Sequence, residues 1–191
     1  MSDGTHEKRE AIINAALKLF TERGFDGTTT AAISEEAGVA TGTLFRYFPT
    51  KEALINDSYM AAKTRLAAAM TAGVENRKSL ESKMRLVWGN TIRWSLQNPA
   101  ELLFLEQYIA SPYITKYTEE EAMKQFAFYT DLIDEGVRAG KLKDIHRGLM
   151  IEVAFSACIA VIKKILAHGL QDQTEALIED SFELIWSGLS K

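Results

Sequence analysis

The stretch Thr28-Thr-Thr-Ala-Ala-Ile-Ser-Glu-Glu-Ala-Gly-Val-Ala-Thr-Gly-Thr-Leu-Phe-Arg-Tyr-Phe-Pro-Thr-Lys51 decides the fold. Its three opening threonines supply hydroxyls able to cap a helix running through Ala37, and Gly38 tolerates the left-handed backbone that closes such a helix. A second short helix over about Ala40–Phe48 is stopped by Pro49. Two short helices joined by a tight glycine turn read as a helix-turn-helix. Leu44 and Phe48, at i and i+4, suit the inner face of the second helix and leave Thr41, Thr43, Arg46 and Tyr47 for the outside. A short helix pinned on its inner face can offer the outer one to a DNA major groove. Arginine reads guanine edges or holds phosphate, and threonine and tyrosine hydroxyls bond phosphates.

Upstream, Glu10–Arg23 carries Ile12, Ile13, Ala16, Leu17, Leu19 and Phe20 on one broad stripe and ends at Gly24. Downstream, Thr50 can cap a long helix from Lys51 to about Ala72. Lys51 in a first helical turn opposes the helix dipole, which suits either a solvated lysine or one facing a phosphate. Further helices are predicted at about Ser79–Gln97, Ala100–Ala110, Tyr117–Arg138, Arg147–His168 and Thr174–Leu189. The reading is an all-α protein of about nine helices, without an alternating strand pattern or an internal repeat.

Composition agrees with a globular chain: 191 residues, 47% apolar and 25% charged, with only 12 Gly and 3 Pro. The net charge of −4 weighs against a polyanionic partner, and the first 52 residues hold six bases against eight acids. Distribution outweighs the sum, since Ala37 to Lys51 contains no acid and carries Arg46 and Lys51. The single cysteine, Cys158, excludes an internal disulfide, and no Cys/His cluster suggests a metal. The polar opening residues carry no signal-peptide core, and the longest apolar run, Val153–Ile162, is about half of what a bilayer requires. A cytoplasmic location is expected.

The segments Ile13-Asn-Ala-Ala-Leu-Lys-Leu-Phe20, Gly24-Phe25, Thr28-Thr29, Ile33, Ala37-Gly-Val39, Thr41-Gly-Thr-Leu-Phe-Arg-Tyr-Phe48 and Lys51-Glu-Ala-Leu54 together resemble the N-terminal domain of TetR-family repressors over roughly residues 9–55. The resemblance implies a helix-turn-helix domain at 1–52 and a ligand-binding and dimerisation domain at 53–191. It implies that Thr29 and Thr30 touch the DNA backbone, that Thr41, Gly42 and Thr43 approach bases, that Arg46 and Tyr47 contact bases or phosphates, and that Lys51 holds a phosphate. Two positions depart from the family pattern: Phe45 stands where Tyr is common, and Ala40 where a Ser often caps the recognition helix.

In the remainder no nucleophile, metal or acid–base constellation stands out, so an enzyme and a cofactor are not expected. His146 and His168 lie near helix ends, and Glu119-Glu-Glu121 reads as a helix start. The family's ligand pocket would draw on Trp88 and Thr91, Phe104 and Tyr108, and Phe126 and Tyr129, each pair sharing a helix face; the same residues equally describe a packed core. The helix around Val153–Ile162, apolar nearly all round, and the last helix would form the family's four-helix dimer interface through Val153, Ala157, Ala160, Val161, Phe182, Ile185, Trp186 and Leu189. The expected function is a homodimeric DNA-binding repressor released from a palindromic operator by a largely apolar small molecule. An activator or protein-responsive regulator of the same fold, and an all-helical enzyme using the aromatic cavity, are the alternatives.

Overall fold

In the computed structural model, which describes residues 3–108 and 111–191, helices follow one another with short breaks. They are α1 (Asp3–Arg23), α2 (Thr30–Glu36), α3 (Thr41–Tyr47), α4 (Lys51–Thr71), α5 (Leu80–Gln97), α6 (Pro99–Tyr108), α7 (Lys116–Lys124), α8 (Ala127–Arg138), α9 (Arg147–His168) and α10 (Thr174–Leu189). Short 3-10 turns occupy Val74–Asn76 and Gln171–Gln173. Among the described residues the nearest approach to a sheet is one isolated bridge, Leu142 to Ser190. The all-α reading holds, with ten α-helices among the described residues rather than nine. The additional one arises because the stretch expected as a single helix, Tyr117–Arg138, breaks at Gln125-Phe126 into α7 and α8. Neither residue is a glycine or proline, so no local signal marked the break. The expected end of the sixth helix at Ala110 lies outside the described residues.

The chain forms two compact units. The first comprises the residues up to Arg65 together with Asn98–Lys124, so α6 and α7 belong with the helix-turn-helix. Its core is built on α1, whose Ile12, Ile13, Ala16, Leu17, Leu19 and Phe20 are all buried. Packed with them are Ile33 of α2, Leu44 and Phe48 of the α3 region, and Phe104 of α6. Full burial of a Leu, Ile or Phe side chain is worth about 1.5–3 kcal/mol relative to exposure. This is why a domain of such short helices can hold its shape.

The turns are as determined as the core. Thr28 is buried and donates to the carbonyls of Leu19 (3.0 Å) and Gly24 (2.7 Å), sealing the end of α1. Thr29 is the true N-cap of α2, its hydroxyl accepting from the Ala32 amide at 3.1 Å. At the other end of α2 the Val39 amide bonds the Ser34 carbonyl (2.9 Å), a closure that requires the positive φ of 65° at Gly38. Ala40 precedes α3 without a side-chain cap, as its sequence implied.

The second unit, Leu66–Gln97 with Gln125–Lys191, packs α5 against α8, α9 and α10. Buried Met84, Val87, Trp88 and Ile92 of α5 face an interior shared with Ile162 and Ile165 of α9 and Ile178 and Phe182 of α10. Arg85 ties α5 to α10 through Glu179 and Glu183, its guanidinium lying 4.3 Å from the centre of the Phe182 ring. Gly136 of α8 lets Leu80 and Leu142 come close, since a Cβ there would stand 2.6 Å from both side chains.

A Cβ at Gly38 would meet nothing within 4 Å, so the cost of substitution there is conformational and not steric. Gly38→Val is expected to destabilise the protein by about 1–2 kcal/mol, and Gly38→Asn by clearly less, because asparagine tolerates left-handed backbone. Urea unfolding midpoints compare the two; equal losses would contradict a purely backbone origin.

Candidate nucleic-acid interface

Helix α3 has only seven residues, and Leu44 (0% exposed) and Phe48 (1%) anchor its inner side. The arc left outward is Thr41, Gly42, Phe45 and Arg46, all exposed, with Thr43 half-buried at its edge. Gly42 has open space where a side chain would be, so its backbone can be approached closely. Arg46 is exposed and its guanidinium lies 5.7 Å from the centre of the Tyr47 ring. Among the described residues no carboxylate pairs with it. Thr29 and Thr30 open α2, the first exposed and the second half-buried.

Two residues differ from the sequence expectation. Tyr47, assigned outward, is half-buried, and its hydroxyl is enclosed without a hydrogen-bond partner. Phe45 takes the exposed side instead, at 44% accessibility. Positions 45 and 47 flank the outward direction symmetrically once 44 and 48 define the inward one, so periodicity cannot choose between them. The structure chooses: the Tyr47 hydroxyl is enclosed and its ring centre lies 6.3 Å from that of Phe48.

Lys51 opens α4 and is half-buried. Its ammonium turns back to the α1–α2 turn, donates to the Phe25 carbonyl and sits 4.0 Å from the centre of the Phe25 ring. A lysine that looked like either a solvated cation or a phosphate ligand is therefore also a structural tie between the start of α4 and the turn before α2. Three ammonium protons allow the carbonyl bond and an outside acceptor together.

The residues expected around a ligand separate into the two units. Phe104 and Tyr108 belong to the first, their ring centres 4.7 Å from each other and 6.3 and 6.4 Å from that of Phe20, all at tilted angles. Trp88, Thr91, Phe126 and Tyr129 belong to the second. Trp88 is buried and its indole donates to Ser181 at 3.0 Å, while the Thr91 hydroxyl bonds back to the Val87 carbonyl at 2.7 Å. Phe126 stands half-buried at the start of α8. Burial raises the Tyr129 phenol and the neighbouring Cys158 thiol above their usual ranges, so both stay neutral. An open cleft of about 620 Å³ in this unit is lined by Asp131, Asp134, Arg138 and Arg147 among others, and by none of the six.

Of the residues expected at a dimer interface, Val153 and Ala160 are exposed and Ala157, Val161, Ile185, Trp186 and Leu189 are half-buried. Phe182 is buried inside its own chain, against Trp186 at 5.7 Å and beneath Arg85. Leu149, Phe155, Leu166 and Leu184, absent from the expected set, are exposed apolar residues on α9 and α10. Phe155 lies within the apolar run Val153–Ile162 itself, where composition does not tell which side chains face outward.

The geometry defines a helix-turn-helix protein with an exposed recognition helix. Residues 12–57 match the family described as bacterial regulatory proteins, tetR family, and residues 79–190 match the tetracyclin repressor-like C-terminal domain. A tetR family transcription regulator from Shewanella sp. PV-4 is 33% identical, with 96% of this chain and 98% of that one covered and a TM-score of 0.86. The Bacillus subtilis HTH-type transcriptional regulator YuxN is 32% identical over 90 residues, 45% of this chain and 31% of that protein's length. The transcriptional regulator FadR from Bacillus subtilis, solved in complex with stearoyl-CoA, shares the fold at 20% identity, a TM-score of 0.77 and coverage of 94% and 98%. The chain belongs to the tetR family: it is a DNA-binding transcriptional regulator, in a family of regulators and not of enzymes. No described helix is long and apolar enough to cross a membrane.

Lys51→Met is expected to lower the stability of the free protein by about 1 kcal/mol, because the Phe25 carbonyl and ring lose their cation. Tyr47→Phe should leave it unchanged or slightly higher, since it removes an enclosed hydroxyl that has no partner. Thermal melts in the absence of DNA report both, and the reverse ranking would contradict these placements.

Proposed function

We propose that this regulator is a homodimeric repressor that occupies a palindromic operator and leaves it when a small, largely apolar effector binds. The observation that carries the DNA reading is the exposed, acid-free arc of α3, held out by two buried anchors. Arg46 is the base-reading residue, and Thr41, Thr43 and the backbone at Gly42 approach the same groove. Thr29, Thr30 and Lys51 serve the phosphates, while Tyr47, its hydroxyl enclosed, backs the Arg46 guanidinium with its ring. The Thr29 hydroxyl accepts from Ala32 and still has its own proton to donate. Phe45 joins this set as an apolar contact, its ring suited to a thymine methyl. The DNA-contacting segment then ends near residue 52, and residues 53–191 supply pairing and sensing in the cytoplasm.

Pairing falls to α9 and α10. Leu149 (52% exposed), Val153 (47%) and Leu184 (74%) stand uncovered by their own chain, and Ala160 on α9 is small enough for close helix approach. Ala157, Val161, Ile185, Trp186 and Leu189 border that surface, and Phe182 supports it from within. For the effector, the relative solved with stearoyl-CoA favours an apolar molecule. Trp88, Thr91, Phe126 and Tyr129 are its contacts here, whereas Phe104 and Tyr108 are taken up by the Phe20 core. Effector binding shifts the protein between DNA-competent and incompetent states by its differential affinity for the two.

Selection of bound duplexes from a random pool is expected to enrich an inverted repeat. On the selected site Arg46→Ala should lose about 1–3 kcal/mol and relax the preference at one base position. Ala160→Glu should place an unpaired charge in the seam, sediment as a monomer at micromolar concentration and lose the full site. Enrichment of a single half-site, or a wild type that sediments as a monomer, would contradict the pairing.

A further inference from the structure

The connection between α6 and α7 is fastened to the helix-turn-helix at a point far along the chain from the matched DNA-binding segment. Tyr113 stacks on Phe25, ring centres 3.9 Å apart and planes 19° from parallel. Its hydroxyl donates to the Asp26 carboxylate at 3.2 Å. Asn56 of α4 holds the same connection from the other side: its amide donates to the Tyr113 carbonyl (2.9 Å) and its oxygen accepts from the Thr115 amide (2.9 Å). Thr115 then caps α7, accepting from the Thr118 amide at 3.1 Å. All of these residues lie in the first compact unit.

Phe25 is the meeting point. It is half-buried, and on its core side Phe20 lies 5.8 Å away. Tyr113 supplies the nearest of its ring contacts, and Phe25 in turn holds the Lys51 ammonium through both its carbonyl and its ring. Loss of the Tyr113 ring leaves the turn carrying Phe25 and Asp26 without its outer cover, and the ammonium without a fixed seat. We infer that Tyr113 is a positioning residue for DNA binding: by fixing Phe25 it sets where Lys51 presents its charge. The inference rests on the reading of Lys51 as a phosphate contact. It makes DNA affinity depend on the placement of the α6–α7 connection, although that connection lies outside the recognition motif. A tyrosine contributes here through its ring face, so phenylalanine can substitute for it and alanine cannot.

The test is titration of a labelled random-sequence duplex with the full chain over a range of salt concentrations, for the wild type, Lys51→Ala, Tyr113→Ala, Tyr113→Phe and the double alanine variant. Lys51→Ala is expected to lower the slope of log affinity against log salt by about one unit. Tyr113→Ala should weaken binding by about three- to tenfold at low salt and lower the slope in the same direction. Added to Lys51→Ala, it should have no further effect. Tyr113→Phe should stay within about twofold of the wild type. Where Tyr113→Ala fails to fold by circular dichroism, Tyr113→Leu, which keeps apolar cover without a stacking ring, takes its place with the same expectation. Wild-type affinity and slope in the Tyr113 variant beside a weakened Lys51→Ala overturn the inference alone. So do losses that add in the double variant. Wild-type behaviour of Lys51→Ala overturns the phosphate reading, and with it the route through Lys51, whatever Tyr113→Ala does.

Discussion

A helix of seven residues cannot hold itself together in water, because nucleation is unfavourable and helices shorter than about 12–15 residues are marginal. Everything α3 does therefore depends on the burial of Leu44 and Phe48 against the α1 and α2 core. That burial creates the helix and aims it in one step. With those two side chains inside, Gly42 and Arg46 must stand outside, and the glycine turn at Gly38 fixes the angle at which α3 leaves α2. The absence of a side-chain cap at Ala40 is tolerable because packing, and not capping, supplies the stability.

Electrostatics adapt an acidic chain to a polyanionic partner by local arrangement. Several acids of the first unit are engaged by bases: Glu36 by Lys18 at 2.7 Å, Asp57 by Arg9 at 2.8 Å, and Glu10 and Glu101 by Arg65. The charges of Arg46 and Lys51 have no acidic partner among the described residues; Arg46 stands exposed, and Lys51 is held on the Phe25 carbonyl and ring. Exposed pairs such as Lys18–Glu36 contribute little stability by themselves, and each offsets an acid of the unit locally.

The sequence announced those parts of the fold that local chemistry controls. Gly24, Gly38 and Pro49 punctuate the first helices, Thr29 caps α2, and the periodic apolar residues of α1 name the core. The bounds expected for α9 and α10 hold, and in α9 the His146 cap and the left-handed Gly169 at φ 63° mark them physically. What escaped has a common cause in tertiary context. The break between α7 and α8 carries no glycine or proline. The choice between Phe45 and Tyr47 shows only in the enclosure of the Tyr47 hydroxyl, and the inward turn of Lys51 is made by a carbonyl 26 residues away. Phe104 and Tyr108 looked like pocket residues because aromatic pairs on a helix face have the same signature whether they line a cavity or fill a core; Phe20 decides for the core.

The central claim is that the outward arc of α3 lies in the major groove, and methylation interference on the selected DNA site tests it most directly. Guanine N7 faces the major groove, whereas adenine N3 faces the minor groove. Methylation at N7 is expected to block binding at guanines in two clusters about one helical turn apart, and Arg46→Ala should lose the interference at one guanine in each. Interference confined to adenine N3, or a pattern that Arg46→Ala leaves unchanged, would contradict the placement of α3 and the role of Arg46.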